Sequence, residues 1–282
     1  MSKAKLLDGK KLAGKLELEL KRQVMALGAR GIKPTLAVIL IGDDPASKIY
    51  VRAKNQACLR TGIDFLLYKF AADERQEVVE EVIQYLNHDR EVTGILLQLP
   101  VPENFNREEL IALIAREKDV DGLKKNSLYP MPTPRGILTL LRSAKIELKG
   151  KKVTILGRGF LVGEPLGKLL RRWGAKVAWC EADDPHAEVL AKTLEADILV
   201  SATGKKGIVT KKMVKKGAVV IDCGSFRNPK TGKIEGEVRT EVASKAGAIT
   251  PVPGGVGPMT VVSLLENVVK AARKYKTRVP ED

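Results

Sequence analysis

The stretch KVTILGRGFLVGEP, residues 152–165, constrains the fold more than any other part of this chain. A β-branched run ends at Leu156, and Gly157, Gly159 and Gly163 follow it before an apolar periodicity typical of a helix. Glycines permit a tight turn and a close approach of a ligand to the backbone, and the next helix offers its N-terminus to a phosphate. The GxGxxxG spacing therefore favours a cofactor-binding strand–turn–helix over a purely structural one.

Short apolar strands alternate with amphipathic helices along the 282 residues, which indicates βαβ units and largely parallel sheets. The predicted strands are Thr35–Ile41, Asp64–Phe70, 94–99, 153–156, 177–180, Ile198–Ser201 and 218–222. The predicted helices are 7–27, 45–60, 74–87, 106–115, 134–144, 165–173, 187–194, 211–215 and 259–275. This length allows two domains with separate cores. We therefore predict an α/β protein of two open parallel-sheet domains, the second a Rossmann-type dinucleotide-binding domain.

The chain is strongly basic, with a formal net charge of +15, which raises the question of nucleic-acid binding. The basic residues are mixed with Glu along the predicted helices, and only 4% of the residues are aromatic, too few for a base-stacking platform. A lysine-rich solvated surface, which also attracts a polyanionic small substrate, is the favoured interpretation. We expect no nucleic-acid partner.

Neither a metal site nor a membrane location is expected. Cys58, Cys180 and Cys223 are scattered without metal-ligand spacing, and His88 and His186 lie far apart in the sequence. No apolar run reaches the roughly 18 residues of a transmembrane helix, and the first residues lack the apolar core of a signal peptide. These features predict a cytoplasmic protein with reduced thiols.

Candidate ligand-binding residues fall at the carboxyl ends of the predicted strands, where open α/β sheets bind their ligands. They are Gln98, Gly157, Asp222 and Gly224. A cofactor domain that faces a substrate domain is typical of redox chemistry with two substrates. The residues alone therefore predict a nicotinamide-dependent oxidoreductase.

Five motifs occur in order over nearly the whole chain: YVRAK (50–54), LQLPVP (97–102), KDVDG (118–122), GRGFLVGEP (157–165) and PVPGGVGPMT (251–260). Together they closely resemble the bifunctional methylenetetrahydrofolate dehydrogenase/methenyltetrahydrofolate cyclohydrolase family. The resemblance implies two α/β domains flanking a cleft: a catalytic, folate-binding domain of residues 1–135 plus 259–282, and an NAD(P)-binding domain of residues 136–258. It further implies oxidation of 5,10-methylenetetrahydrofolate with a nicotinamide cofactor, hydrolysis of the product to 10-formyltetrahydrofolate, and a homodimer.

The resemblance implies catalytic roles for Tyr50, Lys54, Gln98 and Asp121. Tyr50 and Lys54 share one helix face, and a lysine in a low-dielectric cleft loses its proton near neutral pH and can assist an attacking water. Gln98 would orient Lys54, Tyr50 would stack on the folate ring, and Asp121 would accept hydrogen bonds from the pterin. The structural alternatives are a surface pair for Tyr50 and Lys54 and a loop-bonding amide for Gln98. For Asp121 the alternative is an Asx-turn or a helix cap. Asp119 is the more structural aspartate of KDVDG.

The remaining site residues follow from the same resemblance. The implied dinucleotide contacts are Gly157, Arg158, Gly159, Val162, Gly163, Ala182, Thr203, Gly204, Ser225 and Thr260. The implied folate contacts are Tyr50, Val51, Leu99, Asp121, Gly254, Gly255 and Pro258.

Two of the chain's departures from the family pattern leave alternatives open. The loop after Gly122 is short and begins with Leu123, which leaves a dehydrogenase without cyclohydrolase activity as an alternative. Arg158 suits the 2′-phosphate of NADP, whereas the acidic residues around Ala182, which are Glu181, Asp183 and Asp184, suit a ribose 2′-hydroxyl and repel a phosphate. We expect NADP from the resemblance, with NAD as the alternative.

Overall fold

The computed structural model describes residues 4–228 and 231–276, which form two compact units. The six-stranded unit, named for its sheet, contains residues 4–13 and Thr133–Thr260. The three-stranded unit contains Gly14–Pro132 and residues 261–276. The first and last helices each have residues in both units.

The elements of these residues follow in chain order. The strands are β1 (Lys5–Leu6), β2 (Thr35–Ile41), β3 (Asp64–Phe70), β4 (Gly94–Leu97), β5 (Lys152–Leu156), β6 (Lys176–Cys180), β7 (Ile198–Ser201), β8 (Val219–Asp222), β9 (Phe226–Arg227), β10 (Ile234–Glu235) and β11 (Ala248–Ile249). The helices are α1 (Gly9–Gly28), α2 (Pro45–Thr61), α3 (Gln76–His88), α4 (Arg107–Leu113), α5 (Pro132–Ser143), α6 (Gly163–Arg172), α7 (His186–Glu195) and α8 (Val256–Lys276), with 3₁₀ turns at Lys211–Met213 and Thr240–Ser244.

The sheet of the six-stranded unit is parallel throughout, in the order β1-β11-β8-β7-β5-β6. Its central strand β7 is buried along its whole length. The order reverses between β5 and β7, and that switch point is where doubly wound sheets bind their ligands. The GxGxxxG turn follows β5, so it lies at this position.

The sheet of the three-stranded unit is also parallel, in the order β3-β2-β4. The central strand β2 reads TLAVILI and is buried at all seven positions, as a strand covered on both faces requires. Helix α2 follows it, with Asp44 capping the backbone N–H of Ser47 at 2.7 Å, Pro45 in the first turn and a left-handed Gly62 after the last. These caps set where α2 begins and ends, and its buried face includes Val51, Lys54 and Cys58.

The α/β class with two parallel sheets is as predicted, whereas three element predictions were wrong. The predicted helix 211–215 is a single 3₁₀ turn at Lys211–Met213. The predicted strand 94–99 ends at Leu97, although the backbone N–H of Gln98 still donates to the carbonyl of Ile39 on β2. The two-residue strands β1 and β11 were not predicted, since such short segments carry no periodicity.

Two negative findings hold for the residues that the structure describes. Their helices lack the combination of length and apolar character that a membrane span requires. Across residues 4–228 and 231–276, no three His, Cys, Asp or Glu side chains are grouped so that they could hold a metal ion.

Candidate active site

In the three-stranded unit, α2 and the end of β4 bring Lys54 and Gln98 together. The buried Lys54 Nζ donates a hydrogen bond to Gln98 Oε1 at 2.8 Å. The other end of the amide donates from Nε2 to the carbonyl of Leu99 at 2.7 Å, and the backbone N–H of Gln98 donates to Ile39 on β2. The predicted contact between lysine and amide is present, and the amide is held at both ends.

Burial changes the protonation of Lys54 and of Asp121, which lies close enough for the two charges to interact. Removal from water lowers the pKa of Lys54, and the negative charge of Asp121 partly opposes that shift. Removal from water raises the pKa of Asp121 to about 6, and the charge of Lys54 opposes that shift in turn. Cys58, one turn beyond Lys54, has its thiol pKa raised to about 12 by burial and therefore adds no charge. Burial therefore makes Lys54 easier to deprotonate than an exposed lysine.

The remaining predicted residues of this unit lie on the same two elements or beside them. Tyr50 is half-buried one turn before Lys54 on α2, and Val51 is buried next to it. Leu99 is half-buried directly after Gln98. Tyr50 therefore lies one helical turn from Lys54, which in turn donates to Gln98.

Asp121 is held in place by residues with structural roles. The carboxylate of Asp119 accepts the backbone N–H groups of Leu123 at 3.1 Å and Lys124 at 3.0 Å, so the prediction that Asp119 is the structural aspartate is confirmed. Buried Asn267, on α8, donates from Nδ2 to the carbonyls of Val120 at 2.8 Å and Pro130 at 2.9 Å. This amide was missed, although an Asn on an otherwise apolar helix face is a detectable signal.

Lys118, at the start of KDVDG, was also passed over. Its Nζ donates to the carbonyls of Leu86 at 2.7 Å and Asp89 at 2.6 Å, which satisfies the C-terminal end of α3. Burial lowers the pKa of this lysine to about 8. Its bonds tie the KDVDG segment to α3 and give it a structural role.

In the six-stranded unit, the GxGxxxG turn after β5 needs two of its three glycines for packing reasons. Gly157 has φ 87°, and a Cβ there would lie 2.4 Å from the carbonyl oxygen of Ala202. A Cβ on Gly163 would lie 1.9 Å from the carbonyl oxygen of Gly157. A Cβ on Gly159 would meet nothing within 4 Å, so this position opens onto free space. Val162, at the N-cap position before α6, makes no side-chain capping hydrogen bond.

Arg158 lies in the same turn, between two acidic side chains. Its guanidinium is 3.9 Å from Glu181 and 4.0 Å from Glu164, and it lies over the ring of Trp179 at 5.1 Å from the centroid. Glu181 directly follows β6, and Ala182 after it is exposed. The basic and acidic residues that gave opposite indications about the cofactor are therefore direct neighbours.

The turn after β7 carries Thr203 and Gly204 and packs against Gly157 through Ala202. Gly204 has φ 71°, and both residues donate hydrogen bonds to the carboxylate of Glu237. Ser225, after β8, is exposed. Glu237 was missed by the sequence analysis, because a single Glu in a turn-rich stretch has no distinguishing pattern.

The loop before α8 belongs to the six-stranded unit and is tightly packed. Gly254 has φ 108°, and its carbonyl accepts the backbone N–H of Lys10 at 2.8 Å. Gly255 has no room for a Cβ, which would lie 2.6 Å from the carbonyl oxygen of Pro251. Pro258 lies in the first turn of α8, and Thr260 Oγ1 donates to Thr133 Oγ1 at 3.0 Å. The helix begins at Val256, three residues earlier than predicted.

The six-stranded unit fits a dinucleotide. Its strand order reverses at the glycine turn, the backbone there lacks side chains that would block a ligand, and α6 begins without a side-chain cap. These are the features by which a parallel sheet binds a pyrophosphate. Two parallel-sheet units, one with this turn and one with a buried amine bound to an amide, define the class of two-domain α/β dehydrogenases.

Comparison with protein families identifies the family. Residues 7–121 match the family model described as tetrahydrofolate dehydrogenase/cyclohydrolase, catalytic domain. Residues 131–276 match the model described as tetrahydrofolate dehydrogenase/cyclohydrolase, NAD(P)-binding domain. The chain belongs to the tetrahydrofolate dehydrogenase/cyclohydrolase family.

Individual relatives agree over almost the full length. The chain is 43% identical to the bifunctional protein FolD of Moorella thermoacetica, over 96% of this chain and 99% of the relative. A crystal structure of the bifunctional enzyme FolD from Campylobacter jejuni is 40% identical, with a TM-score of 0.92 over 98% of this chain and 100% of the other. The Trypanosoma brucei dehydrogenase-cyclohydrolase, solved with NADP cofactor and inhibitor, is 32% identical, with a TM-score of 0.94 over 99% of this chain and 100% of the other.

Proposed function

We propose that this chain oxidises 5,10-methylenetetrahydrofolate to 5,10-methenyltetrahydrofolate with a nicotinamide dinucleotide, and hydrolyses the product to 10-formyltetrahydrofolate. One observation carries the proposal: a buried amine, that of Lys54, is held by the Gln98 amide within the segment that matches the family's catalytic domain. Burial of an ammonium group costs free energy, and functional sites are where that cost is commonly found. Unlike buried Lys118, which donates to two backbone carbonyls, Lys54 donates to a side-chain amide.

Each proposed catalytic residue has a physical role. In the hydrolysis, water adds to the methenyl carbon and the neutral amine of Lys54 takes the proton that the water loses. The C–N5 bond then breaks: N5 receives that proton from the Lys54 ammonium, and the hydroxyl on the former methenyl carbon loses its proton to solvent as it becomes the formyl carbonyl. Gln98 holds that amine through its Oε1. Asp121 accepts hydrogen bonds from the pterin, and the ring of Tyr50 stacks on it. Val51, Leu99, Gly254, Gly255 and Pro258 complete the proposed folate contacts.

The dinucleotide is assigned to the six-stranded unit. When bound, it supplies the acceptor for the hydrogen and electron pair that the folate loses in the oxidation. Backbone groups of Gly157, Gly159, Val162 and Gly163 would surround its phosphates, with Thr203, Gly204, Ser225 and Thr260 contacting the remainder. Arg158 and Ala182 would lie at the adenosine ribose. NADP is the proposed cofactor, supported by the NADP complex of the trypanosomal relative, and NAD is the alternative that Glu181 supports.

We propose a folate domain of residues 1–135 and 259–282 and a dinucleotide domain of residues 136–258. The contacts of residues 261–276 with the three-stranded unit support this division. Residues 4–13 instead have their contacts in the six-stranded unit. A cytoplasmic homodimer without nucleic acid completes the proposal.

Two measurements test the proposal on the native protein. Methylenetetrahydrofolate with NADP or NAD at matched concentrations should produce reduced dinucleotide, and absorbance of added methenyltetrahydrofolate should decay faster than in buffer. The bifunctional relatives favour both activities over the monofunctional dehydrogenase. A decay no faster than in buffer would leave only the dehydrogenase. Salt-dependent retention on DNA without dinucleotide binding would favour a nucleic-acid-binding protein instead.

A further inference from the structure

Glu237, on the segment after β10, is buried and directs its whole carboxylate at the turn after β7. One oxygen, Oε2, accepts the hydroxyl of Ser201, the backbone N–H of Thr203 at 2.9 Å and the hydroxyl of Thr203 at 2.8 Å. The other, Oε1, accepts the backbone N–H of Gly204 at 2.9 Å. Among the described residues no Lys, Arg or His forms an ion pair with Glu237. Its charge is balanced by the hydrogen-bond donors of this one turn.

The turn that Glu237 holds is the one that packs on the GxGxxxG turn. The backbone N–H of Ala202 donates to Leu156 at 2.9 Å, and the Ala202 carbonyl oxygen occupies the space where a Cβ of Gly157 would lie. The position of Thr203 and Gly204 relative to the glycine turn is therefore set by Glu237 on one side and by Gly157 on the other.

A second buried carboxylate holds Glu237. Asp222 Oδ1, at the end of β8, accepts the backbone N–H of Glu237 at 3.0 Å and that of Gly224 at 2.8 Å, and Oδ2 accepts that of Val238 at 2.9 Å. A Cβ on Gly236 would lie 2.0 Å from Asp222 Oδ2, so the contact requires glycine at that position. The two carboxylates join the ends of β7 and β8 to the segment after β10.

We propose that Glu237 is a positioning residue for dinucleotide binding. Its carboxylate holds Thr203 and Gly204 in the geometry that the dinucleotide requires before the ligand arrives, so binding does not have to order the turn. This inference rests on the proposed dinucleotide site of the six-stranded unit. It assigns no contact between Glu237 and the ligand.

The variant Glu237→Gln tests the inference, since it keeps the shape and removes the charge. A glutamine has one acceptor oxygen, and its NH₂ group would face the N–H of Gly204 or the donors of Ser201 and Thr203. The dissociation constant for NADPH and NADH, measured by fluorescence of the reduced ring, should rise at least about tenfold. Amide hydrogen exchange at residues 203 and 204 should become faster in the ligand-free protein.

Kinetic measurements distinguish a positioning role for Glu237 from a merely structural one. For a positioning residue, the dehydrogenase kcat at saturating dinucleotide and the hydrolysis of methenyltetrahydrofolate without dinucleotide should stay within about threefold of native, so that only the KM for dinucleotide rises. The matched control is Glu235→Gln, two residues away on β10, where the side chain pairs with Lys206 and Asn228. This control should bind dinucleotide as the native protein does.

Three outcomes would overturn the inference: native dinucleotide affinity in Glu237→Gln, unchanged exchange at residues 203 and 204, or a hydrolysis rate that falls together with affinity and melting temperature. If Glu237→Gln does not fold, Ser201→Ala tests the inference instead. It removes the hydroxyl that donates to Glu237 and should weaken dinucleotide binding about two- to fivefold. Unchanged affinity there would also overturn it. A native protein that binds neither dinucleotide nor folate would instead refute the proposed function.

Discussion

Lys54 is a lysine that burial makes easier to deprotonate. Burial disfavours the ammonium form, while Asp121 favours it, and the balance lowers the pKa of Lys54. A neutral amine is a proton acceptor, and the bond to Gln98 points it in one direction. The chemistry of this site is therefore decided by where the amine is placed.

Replacing Lys54 with methionine should abolish the cyclohydrolase activity. Methionine fills a similar volume but cannot accept the proton of the attacking water, so the rate of methenyltetrahydrofolate decay should fall at least about 100-fold. The control is Lys48→Met on the same helix, where the exposed lysine pairs with Asp43 at 2.7 Å. Retained hydrolysis in Lys54→Met would refute the assigned role.

The pH dependence of folate use should follow Asp121. Its pKa is raised to about 6, so the carboxylate loses its charge as the pH falls through 6 and then no longer accepts both pterin donors. The dehydrogenase kcat/KM for folate, at saturating dinucleotide, should therefore decrease below about pH 6 and level off above pH 7. In Asp121→Asn this step should disappear. A step of the same size in that variant would assign the titration to another group.

Cofactor preference should respond to Glu181. Its carboxylate, 3.9 Å from Arg158, competes with a 2′-phosphate for the guanidinium. In Glu181→Ser the ratio of NADPH to NADH affinity should increase about tenfold, which fluorescence titration can measure. Asp183→Ser removes a neighbouring exposed carboxylate and should leave the ratio unchanged. Equal ratios in both variants would show that Glu181 does not influence the choice.

At the scale of elements, the strand–turn–helix from β5 to α6 illustrates how glycine is used. The three glycines look equivalent in the sequence, yet the structure separates them by what surrounds each one. Gly157 and Gly163 allow backbone segments to touch, whereas Gly159 leaves space beside the chain. At Gly159 the space where a Cβ would lie is open.

Gly163→Ala should destabilise the six-stranded unit. The new Cβ would overlap the carbonyl oxygen of Gly157 at 1.9 Å, so the turn must open, at a cost of about 1–3 kcal/mol in the free energy of unfolding. Thermal melting should show a lower transition temperature than the native protein. In Gly159→Ala, where the Cβ meets no atom, the melting temperature should remain close to native. Equal melting of the two variants would contradict this account of the turn.

At the scale of the whole molecule, the described strands form two parallel sheets and one antiparallel pair, β9 with β10, and β6 lies at one end of the larger parallel sheet. The outer edge of an end strand has backbone groups that no further strand pairs, and such an edge can pair with another chain. The family resemblance implies a homodimer through the dinucleotide domains. Both considerations support a dimer.

Sedimentation equilibrium should therefore report twice the mass of the chain. Because the chain carries a net charge of +15, the measurement should be repeated at high salt, where repulsion between like charges is screened. A dimer should persist under both conditions at micromolar protein. A species of single-chain mass at all concentrations would refute the homodimer.

Much of this protein could be predicted from the sequence. Hydrophobic periodicity located the long strands and helices, because burial of one face or of a whole strand leaves a regular pattern. The motifs indicated the family, and the resemblance implied the pairing of Lys54 with Gln98 that the structure shows. The very short strands and the 3₁₀ turn were missed or mistaken, since two or three residues contain no period.

Only the tertiary structure decided the properties that depend on residues far apart in the sequence. The pKa values of Lys54 and Asp121 depend on how much water the fold removes, which no local pattern records. The role of Glu237 depends on the turn after β7, which donates hydrogen bonds to the carboxylate. The role of Asn267 depends on the KDVDG carbonyl to which it donates. The sequence by itself determined which segments fold and which chemistry is available. The tertiary structure decided which groups meet and with what charge, because desolvation and contact arise only when distant segments pack together.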